Sequence, residues 1–186
     1  LFVENTESSA VEGFVPYANQ ALGFAVLYPE TWSLEEDNVE ENVTFMGDYG
    51  ITLAMVVHKS YPQATNADAA NELVIQEMIT VLNKEGDLQD LEFVTEVEPF
   101  LLGGFKAKTI DFTFTLGGET FYGSVITSTP VPKATYAFLI LALYDDYDLA
   151  LNDFNPMLQS FDILISGVNK EQAGPPSPDF DAILAR

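Results

Sequence analysis

Gly23-Phe24-Ala25-Val26-Leu27-Tyr28-Pro29-Glu30-Thr31-Trp32 begins as a strand, stops at a proline and then delivers the only tryptophan of the chain. Phe24, Val26 and Tyr28 alternate to one side, Ala25 and Leu27 to the other. Both faces are apolar, so the spacing predicts a strand covered on both. Pro29 has no N–H to offer a ladder, which ends the strand. Placed this early, the stretch reads as the opening strand of a two-sided sheet and an anchor for the chain after it. Trp32 is assigned to the core rather than to a ligand platform: burying it removes ~150–250 Å² from water, several kcal/mol at ~25 cal/mol per Å².

Upstream, residues 1–13 lack periodicity and read as a flexible lead-in. Phe14, Val15 and Tyr17 form a short apolar patch. Downstream, residues 33–42 hold Glu35, Glu36, Asp37, Glu40 and Glu41 and read as a solvated loop. Residues 43–46, a turn at 47–50 and a continuously apolar run to His58 predict a hairpin. A helix follows, capped by Thr65 or Asn66, with Asp68 in its first turn and Leu73, Val74, Met78, Val81 and Leu82 on its buried face. Gly86 ends it. From Leu91 the pattern is an antiparallel meander: strands at 91–98, 105–116 and 119–129, with Gly103-Gly104 and Gly117-Gly118 as hairpin turns. Residues 135–144 are the most apolar strand and belong at the centre of the sheet. Asp145, Asp146 and Asp148 open a second helix whose buried face is Leu149, Leu151, Phe154, Met157, Leu158 and Phe161. Pro156 is expected to split or kink that helix, with Asn155 capping a short final turn. The division is a lead-in (1–13), one domain (14–166) and a Pro-rich tail (167–186), in which Phe180, Ile183 and Leu184 are apolar enough to dock.

Composition narrows the function. The 186 residues are 47% hydrophobic, with 14 Phe and 8 Tyr, too apolar for a disordered chain. Against 29 acidic residues stand 7 Lys plus Arg, a net charge of -22, which excludes nucleic acid because its phosphates need basic contacts. Cysteine is absent, so neither disulfides nor thiolate metal sites form. No apolar run approaches the ~20 residues of a bilayer span. A start at Leu1 fits removal of an upstream signal or lipid-anchor segment, and a cloning boundary explains it equally well.

No catalytic constellation stands out. His58 is the only histidine, no Gly-x-Ser-x-Gly elbow accompanies it, and neither phosphate-cradling glycine pattern occurs. It reads as a strand-end histidine. Carboxylate pairs are too abundant to argue glycosidase chemistry. Calcium, which takes about 6–8 oxygen ligands, has candidate ligands in the first acidic cluster (Glu35, Glu36, Asp37, Glu40 and Glu41) and in the second (Asp145, Asp146, Asp148 and Asp153). Neither follows the EF-hand spacing, and a solvated loop and a helix cap are the preferred readings. Asn42-Val43-Thr44 fits a glycosylation acceptor.

The order of features resembles the PsbP-like family, the extrinsic photosystem II protein and its bacterial relatives. The resemblance is carried by Gly23-Phe24, Tyr28-Pro29 and Trp32, by the Phe45 strand and the strand at 51–57, and by the helix ahead of Gly103-Gly104. It continues through Gly117-Gly118 with Phe121-Tyr122, the strand at 136–142, and the closing Phe154, Met157, Leu158 and Ser160-Phe161, covering about 14–165. It implies an α+β fold, an α/β/α sandwich with a central antiparallel sheet of about six or seven strands and helices on both faces, shared with a nuclear-import factor that binds the GTPase Ran. It also implies a non-enzymatic accessory protein outside the cytoplasm. The basic residues by which photosystem members dock are scarce here, and one histidine does not match the family's proposed metal sites. The resulting expectation is a bacterial extracytoplasmic protein, secreted or lipid-anchored, that binds a protein partner with no catalytic residue and no cofactor. The alternative is a small-ligand or Ca²⁺ carrier using a sheet–helix pocket or the acidic loops.

Overall fold

A computed structural model describes residues 11–47, 52–131 and 133–164. The tail from 167, most of the lead-in and the turn at 48–50 lie outside the described residues. Among the described residues eleven strands and two helices follow in chain order: β1 (Phe14–Asn19), β2 (Phe24–Pro29), β3 (Ser33–Asp37), β4 (Asn42–Gly47), β5 (Thr52–Lys59), α1 (Ala67–Lys84), β6 (Gln89–Phe93), β7 (Glu98–Leu102), β8 (Phe105–Leu116), β9 (Glu119–Val131) and β10 (Ala134–Leu143). A 3₁₀ turn (Tyr144–Asp146) leads into α2 (Tyr147–Ser160) and β11 (Asp162–Ile163).

The main sheet is antiparallel, in the order β3-β4-β5-β10-β9-β8-β6, and β7 pairs with β8 beside β6. α1 lies over β8, β9 and β10 on one face; α2, packed on β2 and β10, covers the other. This is the expected α+β sandwich with helices on both faces, and β10 takes the expected central position. The main sheet carries eight strands, and β2 is not one of them: it is the middle strand of a separate three-stranded sheet, β1-β2-β11. The small sheet seals the α2 side. Phe24 is fully buried against Tyr17, Tyr136 and Phe161, and the Tyr136 hydroxyl donates to the Leu22 carbonyl at 2.7 Å. β2 is thus buried on one side by layer packing and left half-open on the other, a choice that its alternation does not reveal.

Local signals place most elements. Asn66 caps α1 by accepting from the Ala69 amide at 2.9 Å. Gly103 and Gly104 (φ 60° and 81°), like Gly117 and Gly118 (63° and 91°), take the left-handed backbone that tight hairpins require. Trp32 is buried edge-on against Phe154, 6.0 Å between ring centroids.

Four expectations change. The acidic stretch after Trp32 is not all loop: β3 pairs with β4, because Leu34, opposite Phe45, has core to pack on, while an edge strand leaves its other side chains in water. The run at 91–98 divides into β6 and β7, both on β8. Between them the Val94 amide donates to the Asp111 carbonyl and the Asp111 amide to Thr95 Oγ1, each at 3.0 Å. Leu73, Val81 and Leu149 are exposed, since each helix rests on the sheet by a narrower stripe than its apolar content allows. Pro156 sits inside a continuous α2, and no separate turn begins at Asn155. The carbonyl deprived of its donor belongs to Asn152, on the exposed side, where water can serve it.

Candidate functional site

The acidic candidates fall into two distant groups. Glu40 and Glu41 occupy the β3–β4 turn, where Asp37 Oδ1 accepts from the Val39 and Glu40 amides at 2.9 and 3.0 Å, and Glu41 adopts φ 52°. Asp145 and Asp146 lie in the 3₁₀ turn, with Asp148 in the first turn of α2. The register separates the groups: β4 and β5 reach the first turn beside Thr135, whereas the aspartates follow Leu143 at the other end of β10. At about 3.4 Å per residue that is roughly 30 Å, too far for one ion. Among the described residues no three or more His, Asp or Glu side chains gather as a metal site. Burial raises the carboxyl pKa of Asp153, beside Asp146 and Leu149 in an open depression of about 290 Å³.

His58 Nδ1 lies 3.5 Å from Glu41 Oε2, within ion-pair reach but without a hydrogen bond. Its ring packs on Tyr136 at 5.4 Å. A second polar cluster is buried where β8, β9 and α2 meet. Ser124 Oγ donates to Asp111 Oδ1 at 2.7 Å, Tyr122 Oη donates to Oδ2 at 3.0 Å, and Ser124 Oγ is 3.1 Å from Tyr147 Oη. Burial first, then the Asp111 charge, pushes the Tyr122 phenol far above its ordinary range, and burial does the same to Tyr147. Both therefore stay neutral, and the cluster ties three elements together. On the opposite face Asn71 donates to the Lys106 carbonyl at 3.0 Å and accepts from Thr129 Oγ1 at 2.8 Å, pinning α1 to the sheet.

The surface that stands apart is apolar. On β4, β5 and β10 the side chains facing α2 are sealed: Val43, Phe45, Ala54, Val56, Phe138, Ile140 and Ala142 are each 0% exposed. On the α1 side Val57 and Ala137 are buried as well, but the residues further toward Leu143 are less covered. Met46 is 38% exposed, and Leu53, Met55, Leu139, Leu141 and Leu143 are half-buried. The register sets them side by side, with Met55 opposite Leu139 and Met46 opposite Leu53, itself opposite Leu141. α1 lies over the β8–β10 half of the sheet, and Met55, Leu139, Leu141 and Leu143 pack in part on the cluster beneath it, whereas Met46 and Leu53 are not part of that cluster. The sequence shows 51–58 as a continuously apolar strand and 135–144 as the most apolar one, a signal that does not tell a covered face from a partly open one.

A second depression, about 900 Å³ and open to solvent, runs between the outer side of β1–β2 (Pro16, Ala18, Ala25, Leu27) and the end of α2 (Pro156, Gln159). Here the Leu27 amide donates to Ser160 Oγ at 2.8 Å, so this margin of β2 is already hydrogen-bonded. Neither depression encloses a ligand as a small-molecule site does.

No protein-family model matches the chain, and no curated protein matches it. Among solved structures the chain is similar to cyanobacterial PsbP (CyanoP) from Synechocystis sp. PCC 6803, with a TM-score of 0.60 and 19% identity over 84% of this chain and 95% of that one. It is also similar to LpqN of Mycobacterium tuberculosis, involved in cell envelope biogenesis, at TM-score 0.51 and 14% identity over 82% and 86% of the two chains. The Saccharomyces cerevisiae Ran-binding protein Mog1p gives 0.53 and 8% over 83% and 97%. At such identities the likeness speaks to fold. The antiparallel sheet between α1 and α2, matched across most of all three proteins, shows that the chain has a PsbP-like fold.

Proposed function

We propose that this chain is a non-enzymatic accessory protein, acting outside the cytoplasm, that binds a protein partner through the half-covered face of β4, β5 and β10. The carrying observation is the contrast across those strands: Val43, Phe45, Ala54, Val56, Phe138, Ile140 and Ala142 are sealed on the α2 side, whereas Met46 is exposed and Leu53, Met55, Leu139, Leu141 and Leu143 are only partly buried on the other. Leucine and methionine side chains left half in water gain ~25 cal/mol for each further Å² a partner covers. Supporting the reading, Mog1p is a Ran-binding protein and LpqN is involved in cell envelope biogenesis. No helix among the described residues is long and apolar enough to cross a membrane.

The test compares affinity capture by the wild-type chain with capture by Met46→Asp, a partly exposed position whose change preserves the sealed core. Wild type enriches a partner that the variant releases, at equal melting temperature. Identical capture by both chains removes this surface from the reading. Protease protection of the full-length protein in intact cells tests the location, and cytoplasmic protection contradicts it.

A further inference from the structure

We propose that the occupant of the open face is an amphipathic α-helix of a partner protein, its apolar stripe on Met46, Leu53, Met55, Leu139, Leu141 and Leu143 and its flank basic. The proposal rests on the protein-binding reading above and adds the chemistry of the segment bound.

Backbone accounting selects the helix. β4, β5 and β10 are interior strands, paired on both sides, so the face offers side chains and no free main-chain groups. An extended segment lying across it would bury its own amides and carbonyls unpaired, each costly, whereas a helix satisfies its own. Dimensions agree. From β3 to β10 is three strand spacings, about 14 Å, and from Leu139 to Leu143 four residues, also about 14 Å. That footprint of roughly 200 Å² accepts one helix of about 10–12 Å diameter beside α1. Leucine and methionine, unbranched at Cβ, adapt readily to an incoming apolar ridge.

Charge sets the flank. β3 turns Leu34 into the sealed core and Glu36 toward Tyr17 Oη (2.7 Å), which leaves Glu35 and Asp37 on the open side by alternation. On the α1 side stands Glu77, which accepts from Tyr61 and is paired with Lys59 at 3.1 Å. The hydrogen bond from Tyr61, then Lys59, holds its carboxyl below the ordinary range and so ionised. Two copies of a chain carrying -22 each repel. A segment with lysine or arginine along the β3 side is attracted.

The test uses three synthetic 18-residue probes against the full chain: a Leu/Lys peptide with leucine at helical spacing, a Leu/Lys peptide of the same composition scrambled, and a Leu/Glu peptide at helical spacing. Isothermal titration with hydrogen-exchange mapping is expected to show the first binding with protection confined to β4, β5 and β10. Met46→Asp should weaken it about tenfold, and Glu35→Lys should weaken it several-fold at low salt but not in about 1 M salt. Equal binding by the scrambled peptide, or protection elsewhere, overturns the inference. So does tighter peptide binding by the full-length Phe180→Asp, Leu184→Asp variant, which would make the chain's own C-terminal segment the occupant, or a dimer that Met46→Asp dissolves. If Met46→Asp abolishes partner capture yet the helical Leu/Lys peptide does not compete, the helix inference fails and the binding reading stands. If capture survives the substitution, the reading itself fails.

Discussion

Gly47→Ala is the sharpest test of the packing around Trp32. A Cβ on residue 47 would lie 2.8 Å from Trp32 Cε2, 2.9 Å from Nε1 and 3.1 Å from Cζ2. Carbon atoms sit comfortably at about 3.5–4.0 Å, so the methyl must displace an indole that is itself fixed edge-on against Phe154. Overpacking of this kind costs about 1–3 kcal/mol. Gly47 is not among the positive-φ residues, so alanine also restricts the unfolded chain and returns about 0.4–1 kcal/mol. The expected net loss is about 1–2 kcal/mol, a fall of roughly 2–8 °C in Tm. In a Trp32→Leu background the three crowding atoms are gone, and the same substitution should become neutral or mildly stabilising. Urea unfolding followed by far-ultraviolet circular dichroism, with an unchanged m-value, measures both legs of the cycle. A Gly47→Ala chain as stable as wild type, or one that loses the same amount in both backgrounds, refutes the argument that the indole is pinned.

Asp111→Ala leaves Ser124 and Tyr122 facing each other without their common acceptor and should cost about 1–3 kcal/mol. Asp111→Asn, which keeps one acceptor oxygen, should cost less, and an equal cost for both in urea unfolding would contradict the hydrogen-bond account. Glu77 has a folded pKa below its unfolded value, so its stabilisation is complete above the ordinary carboxyl pKa and is lost as pH falls through the lowered one. Glu77→Gln should therefore lower Tm at pH 7, with the gap closing in acid; a gap that persists at pH 2 counts against ionisation as its source. Calcium at about 1 mM, ample for weak extracellular sites, should leave Tm unchanged because the two acidic groups do not converge. A shift abolished by Asp145→Asn with Asp146→Asn would restore the carrier reading.

Much of this architecture is legible before folding, where the determinant is local. The glycine pairs at 103–104 and 117–118 specify their turns because other residues resist positive φ. Asn66 announces α1 by a side chain that satisfies its own helix. The alternation of β8 and β9 and the apolar run of β10 follow from the two-residue period of a strand. The acidic clusters were equally visible, yet their meaning was not, since nothing along the chain says that Glu41 and Asp145 lie at opposite ends of β10. Pro156 illustrates the reverse: its local chemistry argues for a break, and the packing of Phe154, Met157 and Leu158 against the core holds the helix through it.

Gly23 to Trp32 marks the division. The sequence by itself determined that this stretch is a strand, that Pro29 ends it and that Trp32 is core, because alternation, a missing N–H and a large aromatic area are properties of the residues themselves. Only the tertiary structure decided that β2 pairs with β1 and β11 rather than joining the main sheet, and that β4, β5 and β10 are sealed on one side and half-open on the other. A strand's apolar pattern records that a face must be covered. What covers it is set by pairing and packing between segments as distant as Leu22 and Tyr136, and that information belongs to no single stretch of chain.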